Sequence, residues 1–160
     1  MRVEHDYDVA PGALLAVLTD AAYLAARSAR YGGNGDPEVV RSAAEVVVTV
    51  ARQLPVDAVP APFRRFAGTG ELVQTDTWSE LSGDPVRGTW TIDPGDSPLR
   101  LAGTHEIAAT GTGCRYTVTA DVEVKIRFIG GQVETLVRRQ LEELVAKEQE
   151  FAETWLADHA

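Results

Sequence analysis

Residues 115–129 alternate apolar and polar without a break. Tyr116, Val118, Ala120, Val122, Val124, Ile126 and Phe128 fall on one side, and Arg115, Thr117, Thr119, Asp121, Glu123, Lys125 and Arg127 on the other. A period of two is that of a half-buried strand. The same period runs through 2–9, where Val3, His5, Tyr7 and Val9 share a face. It recurs in 86–92, with Val86, Gly88, Trp90 and Ile92 together, and in 99–109, with Leu99, Leu101, Gly103, His105 and Ile107 together. Residues 71–80 form another strand. Residues 38–54 read as two strands joined tightly at 43–45, or as one long bent strand; two are expected. Glycine, proline and aspartate cluster at 32–37, 82–85, 93–98 and 110–113, which is turn chemistry. Pro55, Pro60 and Pro62 make 54–70 a connecting loop, with room for one helical turn at 60–67.

Two stretches change period. Pro11 suits the first turn of a helix, and Ala13, Leu14, Val17 and Leu18 follow at helical spacing. Thr19 or Asp20 then caps a second short helix carrying Ala22, Tyr23, Leu24 and Ala26. At the other end, Val133, Leu136, Val137, Leu141, Leu144, Val145, Phe151, Trp155 and Leu156 recur at spacings of three, four and seven. That is one apolar stripe on a helix running from Gln132 to about Ala157, roughly 40 Å long at about 1.5 Å per residue. Glu143 and Lys147 stand four apart and predict an ion pair on its wet face. Gly130 and Gly131 allow the sharp entry.

The order is strand, two short helices, about six strands, one long helix. It predicts a single α+β domain over 1–160: a curled antiparallel sheet of six to seven strands around a long C-terminal helix.

Composition narrows function more than fold. Acids number 24 against 15 bases, a net charge of −9, which repels a phosphate backbone; nucleic acid is not an expected partner. The basic pairs Arg64-Arg65 and Arg138-Arg139 read as solvated surface. No apolar run is long enough to span a membrane, and the charged N-terminal strand has no signal-like apolar core, so a cytoplasmic protein without integral membrane association is expected. A single cysteine, Cys114, excludes an internal disulfide and reads as a small buried filler. His5, His105 and His159 are far apart without metal-ligand spacing, and neither a phosphate loop nor a nucleophile elbow is present. No metal or cofactor is expected, and oligomeric state is left open.

Several stretches carry a resemblance: RQLPVDAVP (52–60), FRRFAG (63–68), VQTDTW (73–78), GGQVETLV (130–137) and EQEFAETWLADH (148–159). They resemble an actinobacterial family of unknown function within the START and birch-pollen-allergen superfamily. The element order resembles that superfamily's helix-grip fold. The short connection at 43–45 departs from the longer, glycine-bearing hairpin turn of that pattern. The resemblance implies a cavity between sheet and helix holding lipids, sterols, polyketides or other hydrophobic molecules. It brings no catalytic motif that transfers residue by residue.

Alternation alone turns His5, Tyr7, Trp90, His105, Tyr116 and Val118 to the apolar side of their strands, facing Val133, Val137, Leu141 and Leu144 of the helix. Apolar walls with a few polar groups describe a small-molecule pocket. If the helix stands off these residues, the chain is a carrier or sensor for a hydrophobic small molecule, the reading preferred here. A cyclase- or aromatase-like enzyme would use His105 with Tyr7 or His5 for proton transfer. A filled core would instead point to a protein-interaction role.

Overall fold

A computed structural model describes residues 1–160, apart from the side chain of Ala58. Strand β1 (Arg2–Tyr7) is followed by helices α1 (Pro11–Leu18) and α2 (Ala21–Arg30). Then come β2 (Glu38–Arg41), β3 (Val46–Gln53), β4 (Glu71–Glu80), β5 (Val86–Asp93), β6 (Leu99–Ala109) and β7 (Cys114–Val124), and finally α3 (Gly130–Asp158). Two 3-10 turns, Val56–Ala58 and Ala61–Phe66, lie in the proline-rich connection between β3 and β4.

All seven strands form one antiparallel sheet in the order β1-β7-β6-β5-β4-β3-β2. The two short helices therefore carry the chain from one edge of the sheet to the other. The meander then walks back until β7 pairs with β1. The sheet curls without closing, and α3 lies across its hollow. Asp20 caps α2 by accepting the Tyr23 N–H at 2.9 Å. Among the described residues, no helix is long and apolar enough to cross a membrane.

Residues 38–53 are two strands, with Arg41 opposite Val46. Ser42 makes the tight connection without glycine. Its N–H bonds the Glu45 carbonyl at 2.9 Å, and its hydroxyl accepts the N–H groups of Ala44 and Glu45.

Three expectations need correction. The strand alternation ends at Val124, not at 129, because the chain must turn there to enter α3. Phe128 takes φ 69° and is 94% exposed. A side chain at Gly130 would come within 2.7 Å of the Val124 carbonyl oxygen, so the turn into α3 requires glycine. The helix also starts two residues earlier than its apolar stripe indicates. Finally, Glu143 pairs backwards with Arg139 at 3.8 Å rather than forwards with Lys147.

The concave face is built on two tryptophan–glycine pairs across neighbouring strands. Trp78 stands opposite Gly88, and Trp90 opposite Gly103. Each indole uses the room its glycine leaves, which is how aromatics stabilise glycines in sheets. Trp90 Nε1 reaches past Gly103 to donate to the Thr119 carbonyl at 3.0 Å. A methyl group at Gly103 would lie 1.8 Å from that same oxygen and 2.7 Å from Trp90 Nε1. Gly103→Ala is thus expected to cost about 3 kcal/mol, at the upper end for overpacking, and to shift Trp90 emission. An unchanged melting temperature would show that the indole does not occupy this slot.

Candidate functional site

Helix α3 meets the sheet differently along its two halves. Its C-terminal half is seated: Val145, Gln149 and Ala152 are buried, and Phe151 and Trp155 each stand 5.7 Å, ring centre to ring centre, from Tyr23 of α2. The apolar residues of its N-terminal half, from Val133 to Leu144, are only half-buried. Between them and the sheet lies a cavity of about 260 Å³. That is near the lower end of small-molecule sites, roughly 300–1,000 Å³.

Trp90, His105, Tyr116 and Val118 line it from the sheet, and Val133, Val137, Leu141 and Leu144 from the helix. Phe63 and Phe66 of the proline-rich connection add to the wall, as do Leu99 and Ile126 beside the turn into α3. His5 and Tyr7 share the inward strand face but stand outside this lining. Their strand β1 is an edge strand lying under the seated half of α3. Tyr7 donates to the Gln149 carbonyl at 2.9 Å, and His5 Nε2 meets Glu153 at 3.1 Å near the surface. A strand's inner face becomes a cavity wall only where the helix stands away from it.

The cavity is apolar at one end and densely polar at the other. Arg52 donates to Gln74 Oε1 at 2.8 Å, to the Tyr31 carbonyl at 3.1 Å and to Glu148 Oε1 at 2.7 Å. Arg27 approaches the second oxygen of Glu148 at 3.9 Å. The Gln74 amide donates to Asp76 at 2.9 Å, Asp76 meets His105 Nε2 at 3.2 Å, and His105 Nδ1 meets the Tyr116 hydroxyl at 2.8 Å. The neutral Nε2–H tautomer of His105 fits both partners: it donates to the carboxylate and accepts from the phenol. Trp78 stacks on the imidazole, with centroids 4.9 Å apart and planes 17° from parallel, and fixes the ring.

Burial and pairing set the charges here. Burial would raise the Asp76 carboxyl, but the hydrogen bond from His105, the charge of Arg27 and the Gln74 amide outweigh it and hold the carboxyl below its usual range. Burial pushes the Tyr116 phenol well above its usual value, and the neighbouring Asp76 adds to the shift. Burial also pushes the Tyr23 phenol up to about 12. For Arg27, burial acts against the charged form, yet Glu148, Tyr23 and Asp76 more than offset it, and the guanidinium holds its proton more tightly than usual.

Three buried polar atoms have no hydrogen-bond partner among the described residues: Arg27 Nη2, Gln149 Oε1 and Ser28 Oγ. Arg27 and Gln149 line the cavity. Ser28 packs against Gly33 instead.

Sequence alternation points to His105 and Tyr116 but not to Arg27, Arg52, Gln74, Asp76, Glu148 or Gln149. The signal was nevertheless present. Leu72 and Trp78 fix the register of β4, and Gln74 and Asp76 fall between them on the same face. Glu148 continues the helical series Leu141, Leu144, Val145.

An uncharacterized protein of Mycobacterium tuberculosis is 36% identical to the chain over 66 residues, which is 40% of this chain and 38% of that protein. The match thus spans well under half the length of that curated relative. A crystal structure from Thermus thermophilus superposes with a TM-score of 0.64 at 18% identity, covering 100% of this chain and 98% of the other. A START superfamily protein from Mycobacterium smegmatis superposes with a TM-score of 0.58 at 15% identity, covering 98% and 97%. Identities this low speak for fold alone, and the fold is the START-like helix-grip. A family model matches residues 2–156, and the chain belongs to that family, DUF2505, whose members are proteins of unknown function.

Proposed function

We propose that the chain binds a hydrophobic small molecule, of lipid, sterol-like or polyketide-like chemistry, between the sheet and α3, and serves as its carrier or sensor. The observation that carries this reading is the unseated half of α3. Its apolar stripe, from Val133 to Leu144, is only half-buried and lines a cavity of about 260 Å³, although Val137 and Leu141 also touch the core. Filling that space removes apolar surface from water at about 25 cal/mol per Å². The ligand-contacting residues in this reading are Trp90, His105, Tyr116, Val118, Val133, Val137, Leu141 and Leu144, with His5 and Tyr7 supporting the seated part of α3. The large apolar residues that are exposed, Val40, Val73 and Phe128, lie on separate elements and do not favour a protein-interaction role.

Thermal denaturation against a panel of fatty acids, sterols and aromatic polyketides tests the proposal. A ligand at 100 times its Kd adds about 2.7 kcal/mol of stability, which raises Tm by roughly 5–10 °C for a chain of this size. A flat panel sinks the reading.

The Asp76–His105–Tyr116 chain favours a second reading, acid–base chemistry on a bound polyketide-like substrate. Mass analysis of a bound ligand after incubation decides it. Conversion that disappears in His105→Ala supports chemistry, and recovery of the unchanged ligand supports binding alone.

A further inference from the structure

We propose that the ligand carries a neutral alcohol hydroxyl at its buried end, held between Arg27 and Gln149. This rests on the reading of the cavity as a small-molecule site and specifies the chemistry of its occupant.

The two side chains leave complementary needs. Arg27 Nη2 is a buried donor without an acceptor, and Gln149 Oε1 is a buried acceptor without a donor. Both residues line the cavity, one from α2 and one from α3. Both belong to the same end of the cavity: Arg27 reaches Glu148, the residue before Gln149, at 3.9 Å and its charge acts on Tyr116, whose carbonyl Gln149 Nε2 approaches at 3.4 Å. An unsatisfied buried polar group is costly, more so when charged. A hydroxyl is the smallest group that accepts one hydrogen bond and donates another, so a single hydroxyl answers both residues.

Charge decides between a hydroxyl and a carboxylate. The polar end holds two cations, Arg27 and Arg52, and two carboxylates, Asp76 and Glu148, around a His105 whose two partners suit its neutral form. That set sums to zero. A carboxylate head would add an uncompensated buried charge and would face Gln149 Oε1 with a second acceptor. An ether or ester would satisfy Arg27 and leave Gln149 orphaned. Apart from Ser97 and Gln140 the rest of the wall is apolar, so the remainder of the ligand is largely hydrocarbon.

The test compares 1-decanol, decyl methyl ether and decanoate as displacers of Nile red from the full chain at mildly alkaline pH, with direct calorimetry alongside. Decanol is expected to bind about tenfold more tightly than the ether, the worth of a hydrogen bond to a buried group, and more tightly than decanoate. Arg27→Met and Gln149→Leu should each shrink the alcohol-to-ether ratio to about twofold or less while the ether still binds. Arg27→Met leaves Glu148 its 2.7 Å partner Arg52, so the fold keeps its closest ion pair there. Equal binding of alcohol and ether to the unmodified protein, or tighter binding of decanoate, overturns the inference and leaves the small-molecule reading standing. An alcohol preference that survives both substitutions also overturns it. Failure of all three compounds by both methods removes the small-molecule reading itself, and this inference with it.

Discussion

Glu148→Gln is expected to lower the melting temperature by an amount on the order of 10 °C. The carboxylate is the shared partner of two buried guanidiniums, at 2.7 Å from Arg52 and 3.9 Å from Arg27. Gln keeps the shape and removes the charge. Two arginines would then lie buried with no carboxylate in ion-pair reach, Asp76 acting on Arg27 only from farther off, and removing one member of a buried pair costs about 3–5 kcal/mol. For a chain of this length each kcal/mol is worth about 2–4 °C. The same physics predicts the behaviour of a triple replacement, Arg27→Met, Arg52→Met and Glu148→Leu together. It should recover most of the lost stability, because a buried charge cluster swapped as a unit for apolar groups of like volume is often neutral. Scanning calorimetry on both variants checks this. A Glu148→Gln protein that melts like the parent would mean the guanidiniums are solvated, and the polar end of the cavity would not be the sealed cluster described above.

Asp76→Asn should cost about 3 kcal/mol at neutral pH and also flatten the acid limb of the stability curve. The sign follows from the depressed carboxyl. In the folded chain Asp76 releases its proton below the usual aspartate range, for want of net benefit in holding one beside His105, Arg27 and Gln74. The unfolded chain therefore binds the proton first as pH falls, and the unfolded state is favoured. The stabilisation is complete above the ordinary aspartate pKa of about 4 and is lost as pH drops through the lower folded value. Chemical denaturation between about pH 6 and pH 2 should show the parent losing stability more steeply below about pH 4 than the Asn variant. Parallel acid limbs would show that Asp76 is not held ionised by its neighbours.

Most of the fold is visible in the sequence because alternation and helical spacing report which face each element buries. The strands from β3 to β6 fall close to their apolar-polar patterns, and Pro11 and Asp20 mark the starts of α1 and α2. The exceptions have local causes. The β7 pattern runs on past Val124 because Ile126 still contributes to the cavity wall although the backbone has left the sheet. The candidate site was half visible. Alternation tells which residues face inward but not how far the helix stands above them, so Tyr7 and Trp90 look alike in sequence. One is sealed against Gln149 and the other borders open space. The charged residues were harder to see for a different reason. An Arg in AAYLAARSAR or a Glu in a helical stripe reads as solvated until its counter-charge is known. Arg27, Arg52 and Glu148 come from α2, β3 and α3, far apart in the chain, and only the folded chain brings them within ion-pair reach.

An open sheet has two margins where backbone groups lack a partner strand, and such margins recruit strands from other molecules. One of them is β2, only four residues long, ending in Glu38 and Arg41, with Arg41 turned to donate to the Thr19 carbonyl. So short a template offers another chain few hydrogen bonds, and its charged ends disfavour stacking copy upon copy. The turn at Ser42 ends β2 after four residues, and a short edge strand is one of the ways an open sheet blunts strand-to-strand association.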